Sequence, residues 1–89
     1  MTQARLKLQN RLGLHARAAS KLVQAASRFE SKVELNYQGK TVNAKSIMGV
    51  LLLGAPCGAE LTVQLDGPDA EAALAALQDL VADRFGEGE

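Results

Sequence analysis

The 89-residue sequence contains few of the residues that build disulfides and metal sites. It has one cysteine, one histidine, two prolines and no tryptophan. The single cysteine, Cys57, cannot form an intrachain disulfide, and one cysteine with one histidine is too few for an ordinary zinc site. We therefore expect no metal, no cofactor and a reducing, cytoplasmic location.

Long apolar segments are also missing. The longest apolar run, IMGVLLLGA at residues 47–55, is far shorter than the roughly 20 residues of a membrane-spanning helix. The N-terminus alternates polar and apolar residues instead of forming the apolar block of a signal peptide. These two observations predict no membrane insertion and no export.

The formal net charge is zero, which gives no overall basic surface for nucleic acid. Along the chain the sign reverses: residues 1–45 carry nine basic and two acidic side chains, and residues 46–89 carry one basic and eight acidic. The two halves either interleave and cancel, or bring basic residues together near the only histidine, His15. The candidates for such a cluster are Arg11, Arg17, Lys21 and Lys45.

Hydrophobic periodicity predicts the element order β-α-β-β-α-β-α. Period-two alternation predicts strands at residues 4–8, 33–37, 40–42 and 61–65, with a tight turn at Gln38-Gly39. Helical spacing predicts a helix at 16–29, a short one at 47–53 capped by Ser46, and one at 70–81 capped by Asp69. We expect a single α+β domain over residues 1–89, with an antiparallel sheet covered on one face by three helices and RFGEGE frayed at the end.

His15 follows the turn residue Gly13 and begins the first predicted helix. The first N–H groups of a helix have no partner inside the helix, and the helix dipole is positive there, so this end attracts anions. An imidazole that attacks a phosphoryl group would hold the product against the N–H groups of Ala16 and Arg17, with the Arg17 guanidinium able to pair. The alternative is a histidine that only caps the helix.

Three segments together resemble one family: LGLHARAA, KSIMGVLLL and DGPDAEAALAAL are similar to HPr, the histidine-containing phosphocarrier proteins of the bacterial phosphoenolpyruvate-dependent phosphotransferase system. The resemblance extends over essentially the whole chain. It implies an open-faced β-sandwich and a carrier, not a stand-alone catalyst, that is phosphorylated on Nδ1 of His15. It also implies Enzyme I as phosphoryl donor and an enzyme IIA domain as acceptor.

The resemblance adds two expectations about regulation and branch. Ser46 corresponds to the serine at which an HPr kinase/phosphorylase regulates many relatives. Ala18 stands where many members have proline, and this variant resembles the nitrogen-related branch, which feeds regulatory circuits instead of sugar transport.

The second predicted helix has more apolar residues than one buried face can hold, so some of them must face outward. We expect a docking patch beside His15 for Enzyme I and the acceptor, formed by Ile47, Met48 and Leu51 or Leu52.

Two other classes of protein compete with the carrier. One is a small protein- or RNA-binding module with an incidental histidine; the chain's three aromatics are spread along the sequence and predict no base-stacking platform. The other is a small hydrolase, but no second titratable group with a role lies near His15 in the sequence.

Overall fold

In the computed structural model, which describes residues 1–87, the chain forms a four-stranded antiparallel sheet with helices on one face. The sheet order is β1-β4-β2-β3. The predicted α+β open-faced sandwich is confirmed. The elements in chain order are β1 (Thr2–Lys7), α1 (Ala16–Ser27), β2 (Lys32–Tyr37), β3 (Lys40–Asn43), α2 (Ile47–Leu52), β4 (Glu60–Asp66), α3 (Ala70–Ala82) and a 3₁₀ turn (Arg84–Gly86).

Strand β4 lies in the middle of the sheet, between β1 and β2. Its alternate residues Leu61, Val63 and Leu65 are fully buried, as expected for a strand with one face against the helices. In the register, Leu61 lies opposite Leu6 of β1, and Val63 lies opposite Leu35 of β2. Burial of each such side chain stabilises the fold by about 1.5–3 kcal/mol, so the sheet is a firm base for the helices.

Helix α1 covers the sheet with small residues and one leucine. Its buried residues are Ala18, Ala19, Leu22, Ala25 and Ala26. The sequence pattern placed Ala16 in this stripe and extended the helix to Phe29, but Ala16 is exposed and the helix ends at Ser27. Ala16, the first residue of the helix, instead lines the cleft of the site described below.

The turn signals are confirmed at both short connections. Gln38 and Gly39 have φ of 51° and 82°, the paired left-handed conformation that suits a two-residue hairpin between β2 and β3. Ser46 caps α2, because its Oγ accepts the N–H of Gly49 at 3.2 Å. No helix within residues 1–87 has the length and apolar character to cross a membrane.

The predicted capping role of Asp69 is wrong. Its side chain makes no capping bond to α3 and instead accepts the backbone N–H groups of Glu30 and Ser31, both at 2.9 Å, and the Ser31 hydroxyl. These contacts fasten the start of α3 to the turn between α1 and β2. The Ser31 hydroxyl, followed by the Glu30 N–H, lowers the pKa of the Asp69 carboxyl.

The expectation that the C-terminal segment frays is wrong for residues 84–87. Phe85 is fully buried, and the 3₁₀ turn around it closes against α1 and α3. The aromatic side chain removes apolar area from water and thereby holds the turn in place. The remainder of the predicted frayed segment, Gly88 and Glu89, lies outside the described residues.

Asp69 generates a prediction for acid stability. Because its pKa in the folded protein lies below the ordinary 3.8, the ionised carboxylate contributes stability that is present above the unfolded pKa and is lost as pH falls through the folded pKa. Asp69→Asn should lower the urea midpoint at pH 7 and flatten its decline below about pH 4. Asp66→Asn, at an exposed position nearby, is the control. Parallel acid curves for wild type and Asp69→Asn would contradict the assignment.

Candidate functional site

The His15 side chain caps helix α1. Its backbone is extended (φ −78°, ψ 179°), and its Nδ1 accepts the N–H of Arg17 at 3.3 Å. A ring nitrogen that accepts a hydrogen bond carries a lone pair and no hydrogen. Nδ1 is therefore the unprotonated nitrogen, and it faces the first turn of the helix.

The other ring nitrogen, Nε2, contacts Oε2 of Glu87. A carboxylate only accepts hydrogen bonds, so Nε2 carries the hydrogen. The two contacts together select one tautomer of neutral imidazole, with the hydrogen on Nε2 and the lone pair on Nδ1. The His15 side chain is 27% exposed and that of Glu87 is 9% exposed, so the ring is reachable while its carboxylate partner is mostly covered.

Glu87 has a second partner, the fully buried Asn10. The Asn10 amide donates to Glu87 Oε1 at 3.0 Å and to the carbonyl oxygen of Gly13 at 2.7 Å. The hydrogen bond from Asn10, with smaller contributions from His15 and Arg17, lowers the pKa of the Glu87 carboxyl. Glu87 is therefore a carboxylate at neutral pH.

Sequence reasoning missed Glu87. Its contact with His15 joins residues 72 apart in the chain, and neither hydrophobic periodicity nor a local motif signals such a pairing. No titratable group with a role lies near His15 in the sequence, but the fold brings the Glu87 carboxylate against its ring. The only available signal was Phe85, an aromatic in the segment assigned as frayed, since a buried aromatic there would order the turn.

His15 opens onto a cleft of about 550 Å³, which is lined by Arg11, Leu12, His15, Ala16, Arg17, Gly86 and Glu87. Predicted site residues Ala16 and Arg17 thus lie beside the imidazole, and both are exposed. The Arg17 N–H, expected to be unpartnered, is bonded to Nδ1.

Of the four basic residues that could gather near His15, two line the cleft, Arg11 and Arg17. Lys21 donates to the Phe85 carbonyl in the neighbouring turn at 2.6 Å. Lys45 does not belong to the cluster, because its ammonium donates to the Phe29 carbonyl beyond the far end of α1. Within residues 1–87 no group of three or more His, Cys, Asp or Glu side chains could hold a metal ion.

Gly13 sets the position of this loop. Its φ is +65°, and a Cβ there would lie 2.4 Å from the Ala55 carbonyl oxygen and 2.8 Å from Pro56 Cα. The N–H of Leu14 donates to the same carbonyl at 2.9 Å. The loop before His15 is thereby pressed against the segment that follows α2.

A family model described as "PTS HPr component phosphorylation site" matches residues 2–83. The chain belongs to the HPr family. HPr proteins are phosphocarriers of the phosphotransferase system and not stand-alone catalysts.

Individual HPr relatives match over nearly the whole chain. Phosphocarrier protein HPr of Cupriavidus necator is 51% identical and that of Xylella fastidiosa 49% identical, covering 100% and 98% of both chains. The crystal structure of HPr from Thermoanaerobacter tengcongensis superimposes with a TM-score of 0.94 at 42% identity, covering 98% of each chain. The sheet order and the placement of the helices are therefore those of the HPr fold.

In this HPr chain some apolar residues of α2 face solvent and the others face the core, as the helical wheel requires. Ile47, Met48 and Leu52 are 41%, 63% and 68% exposed, whereas Leu51 is half-buried against the core beside the buried Val50. Leu12, which the sequence interpretation left out, is 65% exposed and lines the His15 cleft. We call Leu12, Ile47, Met48 and Leu52 the apolar rim.

Gly13 generates a second prediction, with Gly54 as its matched control. Both have φ near +60°, but a Cβ at Gly54 would meet nothing within 4 Å. Gly54→Ala should therefore lower the free energy of unfolding, measured by urea denaturation, only by the cost of placing alanine at positive φ, about 1 kcal/mol. Gly13→Ala should lower it clearly more and shift the NMR signals of the His15 ring, because the clash displaces the loop. Equal losses in the two variants would show that the close contact is unimportant.

Proposed function

We propose that this chain accepts a phosphoryl group on Nδ1 of His15 from Enzyme I, itself charged by phosphoenolpyruvate, and passes it to an enzyme IIA-type acceptor. The observation that carries this proposal is the state of the ring: Nδ1 has its lone pair at the helix N-terminus beside an open cleft, while Nε2 is held by Glu87. Membership of the HPr family supports the same conclusion.

The transfer proceeds by in-line attack. The Nδ1 lone pair forms the N–P bond as the bond between phosphorus and the donor's nitrogen breaks. Nδ1 then no longer accepts the Arg17 N–H, and that N–H becomes available to a phosphoryl oxygen at the same end of α1. Arg17 lines the cleft, so its guanidinium is available to add a charge-assisted contact, and the N–H of Ala16 belongs to the same first turn.

The openness of the cleft suits a carrier. A phosphoryl group enclosed on all sides by charged partners would be bound too firmly to be passed on. Here most of the cleft wall consists of exposed residues from the loop before α1, from α1 and from the C-terminal turn, and partner proteins can supply the remaining groups.

The apolar rim is the proposed docking surface for Enzyme I and for the acceptor. Leu12 lines the His15 cleft, and Gly13, the next residue, is in close contact with residues 55–56 of the segment that follows α2. Exposed apolar side chains grouped in this way commonly form the centre of a protein interface. Leu51 contributes from below, as packing support.

Ser46 is a proposed regulatory site for an HPr kinase/phosphorylase. Its Oγ caps α2 and is only partly buried, next to the exposed Ile47 and Met48. A phosphoryl group there would add nearly two negative charges beside the apolar rim and oppose a partner that presents acidic groups to it.

We also propose a cytoplasmic location. Because Ala18 stands where many members of the family have proline, we propose that the chain belongs to the nitrogen-related branch.

The binding-module alternative receives no support from the aromatic residues. Phe85 is fully buried, and Phe29 and Tyr37 pack partly against the core, so within residues 1–87 no exposed aromatic surface is available for bases. The hydrolase alternative gains a carboxylate–histidine pair, but the seven residues that line the cleft within residues 1–87 include no serine, threonine or cysteine nucleophile.

The central experiment uses the purified protein, Enzyme I and labelled phosphoenolpyruvate. Wild type should acquire an acid-labile, alkali-stable label, because phosphorus bound to a ring nitrogen hydrolyses in acid, and His15→Ala should acquire none. Cys57, an exposed thiol that could also act as a nucleophile, provides the control: Cys57→Ser should label normally. Label that persists in His15→Ala would overturn the proposal.

Docking is tested by charge on the apolar rim. Met48→Lys should weaken binding to Enzyme I by about tenfold or more, because it buries an unpaired ammonium in the interface. Its urea midpoint should be nearly unchanged, since Met48 is 63% exposed. Ala72→Lys adds the same charge at an exposed position early in α3, remote from the cleft, and should bind normally. A destabilised Met48→Lys with intact affinity would contradict docking.

A further inference from the structure

The C-terminal turn has a backbone that L-amino acids adopt reluctantly. Arg84, Phe85 and Gly86 are consecutive residues with φ of 53°, 54° and 74°, and only the last is glycine. Such conformations persist where the surrounding structure enforces them, and they are concentrated at functional sites. The question is therefore what enforces this turn and what it presents.

Two interactions hold the C-terminal turn in this left-handed conformation. The Phe85 side chain is fully buried in the core, and the Phe85 carbonyl accepts the Lys21 ammonium at 2.6 Å. Within the turn, the N–H of Gly86 donates to the Asp83 carbonyl at 2.9 Å and that of Glu87 to the Arg84 carbonyl at 3.0 Å. The chain is thus anchored immediately before Glu87.

The turn presents the Glu87 carboxylate to His15. Oε2 meets the ring at Nε2, and Oε1 accepts the Asn10 amide at 3.0 Å. Asn10 is completely buried and is itself fixed by its second bond to the Gly13 carbonyl. Each carboxylate oxygen therefore has one defined partner, and the orientation of the carboxylate is determined from both sides.

We propose that Glu87 is a positioning residue for phosphoryl transfer: it holds neutral His15 as the Nε2–H tautomer, and it is the counter-ion of the imidazolium formed when Nδ1 is phosphorylated. This inference rests on the proposed function. It goes further by assigning a role to a residue outside the first helix and to the strained turn that carries it.

The change of charge on the ring gives such a counter-ion its role. When the Nδ1 lone pair forms the N–P bond and Nε2 keeps its hydrogen, the ring acquires a positive charge. Glu87 lies at the Nε2 edge of the ring and the Arg17 N–H at the Nδ1 edge, so the carboxylate faces the imidazolium and not the phosphoryl group. A carboxylate behind an imidazole acts in the same way in hydrolase triads, where it fixes the tautomer and stabilises the cation.

Glu87→Gln tests the tautomer directly. A glutamine has one oxygen, and the Asn10 amide competes for it, so the glutamine NH₂ is turned toward His15 Nε2. A donor facing Nε2 favours the opposite tautomer, with the hydrogen on Nδ1 and the nucleophilic lone pair lost. In ¹⁵N NMR of the histidine-labelled full-length protein at a pH where the ring is neutral, wild type should show the Nε2–H pattern and Glu87→Gln a shift toward Nδ1–H.

The same variant should accept phosphate from Enzyme I about tenfold to a hundredfold more slowly, the range that is seen when the groups that orient metal-bound histidines are altered. Glu87→Asp, which keeps the charge, should recover part of the rate. Asp83→Asn removes one negative charge from an exposed side chain at the start of the same turn and should leave tautomer and rate unchanged. Urea midpoints of all variants show whether the turn itself remains folded.

The outcomes separate this inference from the proposed function. If Enzyme I does not phosphorylate wild type, the proposed function fails, while the tautomer measurement still reports on Glu87. If wild type is phosphorylated and Glu87→Gln keeps either the wild-type tautomer or the wild-type rate, the positioning role is overturned. Faster phosphorylation of Glu87→Gln would also overturn it, because it would make the contact inhibitory.

Discussion

Close contact between Gly13 and the backbone of residues 55–56 determines where the functional ring lies. Because a Cβ at Gly13 would come within 2.4 Å of the Ala55 carbonyl oxygen, the loop can approach this segment only with a glycine. Leu14 then bonds to the same carbonyl, and the next residue, His15, begins α1. One backbone contact therefore fixes the helix start, the imidazole and the end of α2 relative to one another.

The charge reversal along the sequence is resolved by the sheet topology. Strand β4, from the acidic half of the chain, lies between β1 and β2, from the basic half, so the two halves interleave in the sheet. The His15 cleft follows the same principle locally, since it takes Arg17 from the basic half and Glu87 from the acidic half. A neutral protein thus obtains a site with charges of both signs, in which the Glu87 carboxylate contacts the Nε2 edge of the ring and the charge of Arg17 helps to lower the pKa of that carboxyl.

The parts of the structure that depend on local periodicity could be predicted from the sequence: the strands, the helices, the Ser46 cap and His15 at a helix start. The parts that depend on long-range pairing could not. Asp69 has the sequence position of a cap, but Ser31, 38 residues away, takes its carboxylate. Glu87 needs two non-glycine residues in the left-handed region before it, and that conformation is held by burial of Phe85 and by the Lys21 bond to the Phe85 carbonyl, which exist only in the finished fold.

On the proposed function, the site has to stabilise the loaded and the unloaded states to a similar extent, since a group that favoured only one would trap or refuse the phosphate. The Arg17 N–H meets this condition, because it bonds Nδ1 in the unloaded state and a phosphoryl oxygen in the loaded one. Glu87 bonds Nε2–H in both states, but it faces a neutral ring in one and a cation in the other. The Arg17 guanidinium likewise meets added charge only in the loaded state. These two charged groups of the cleft are therefore where the chain itself can adjust how readily the phosphate is given up.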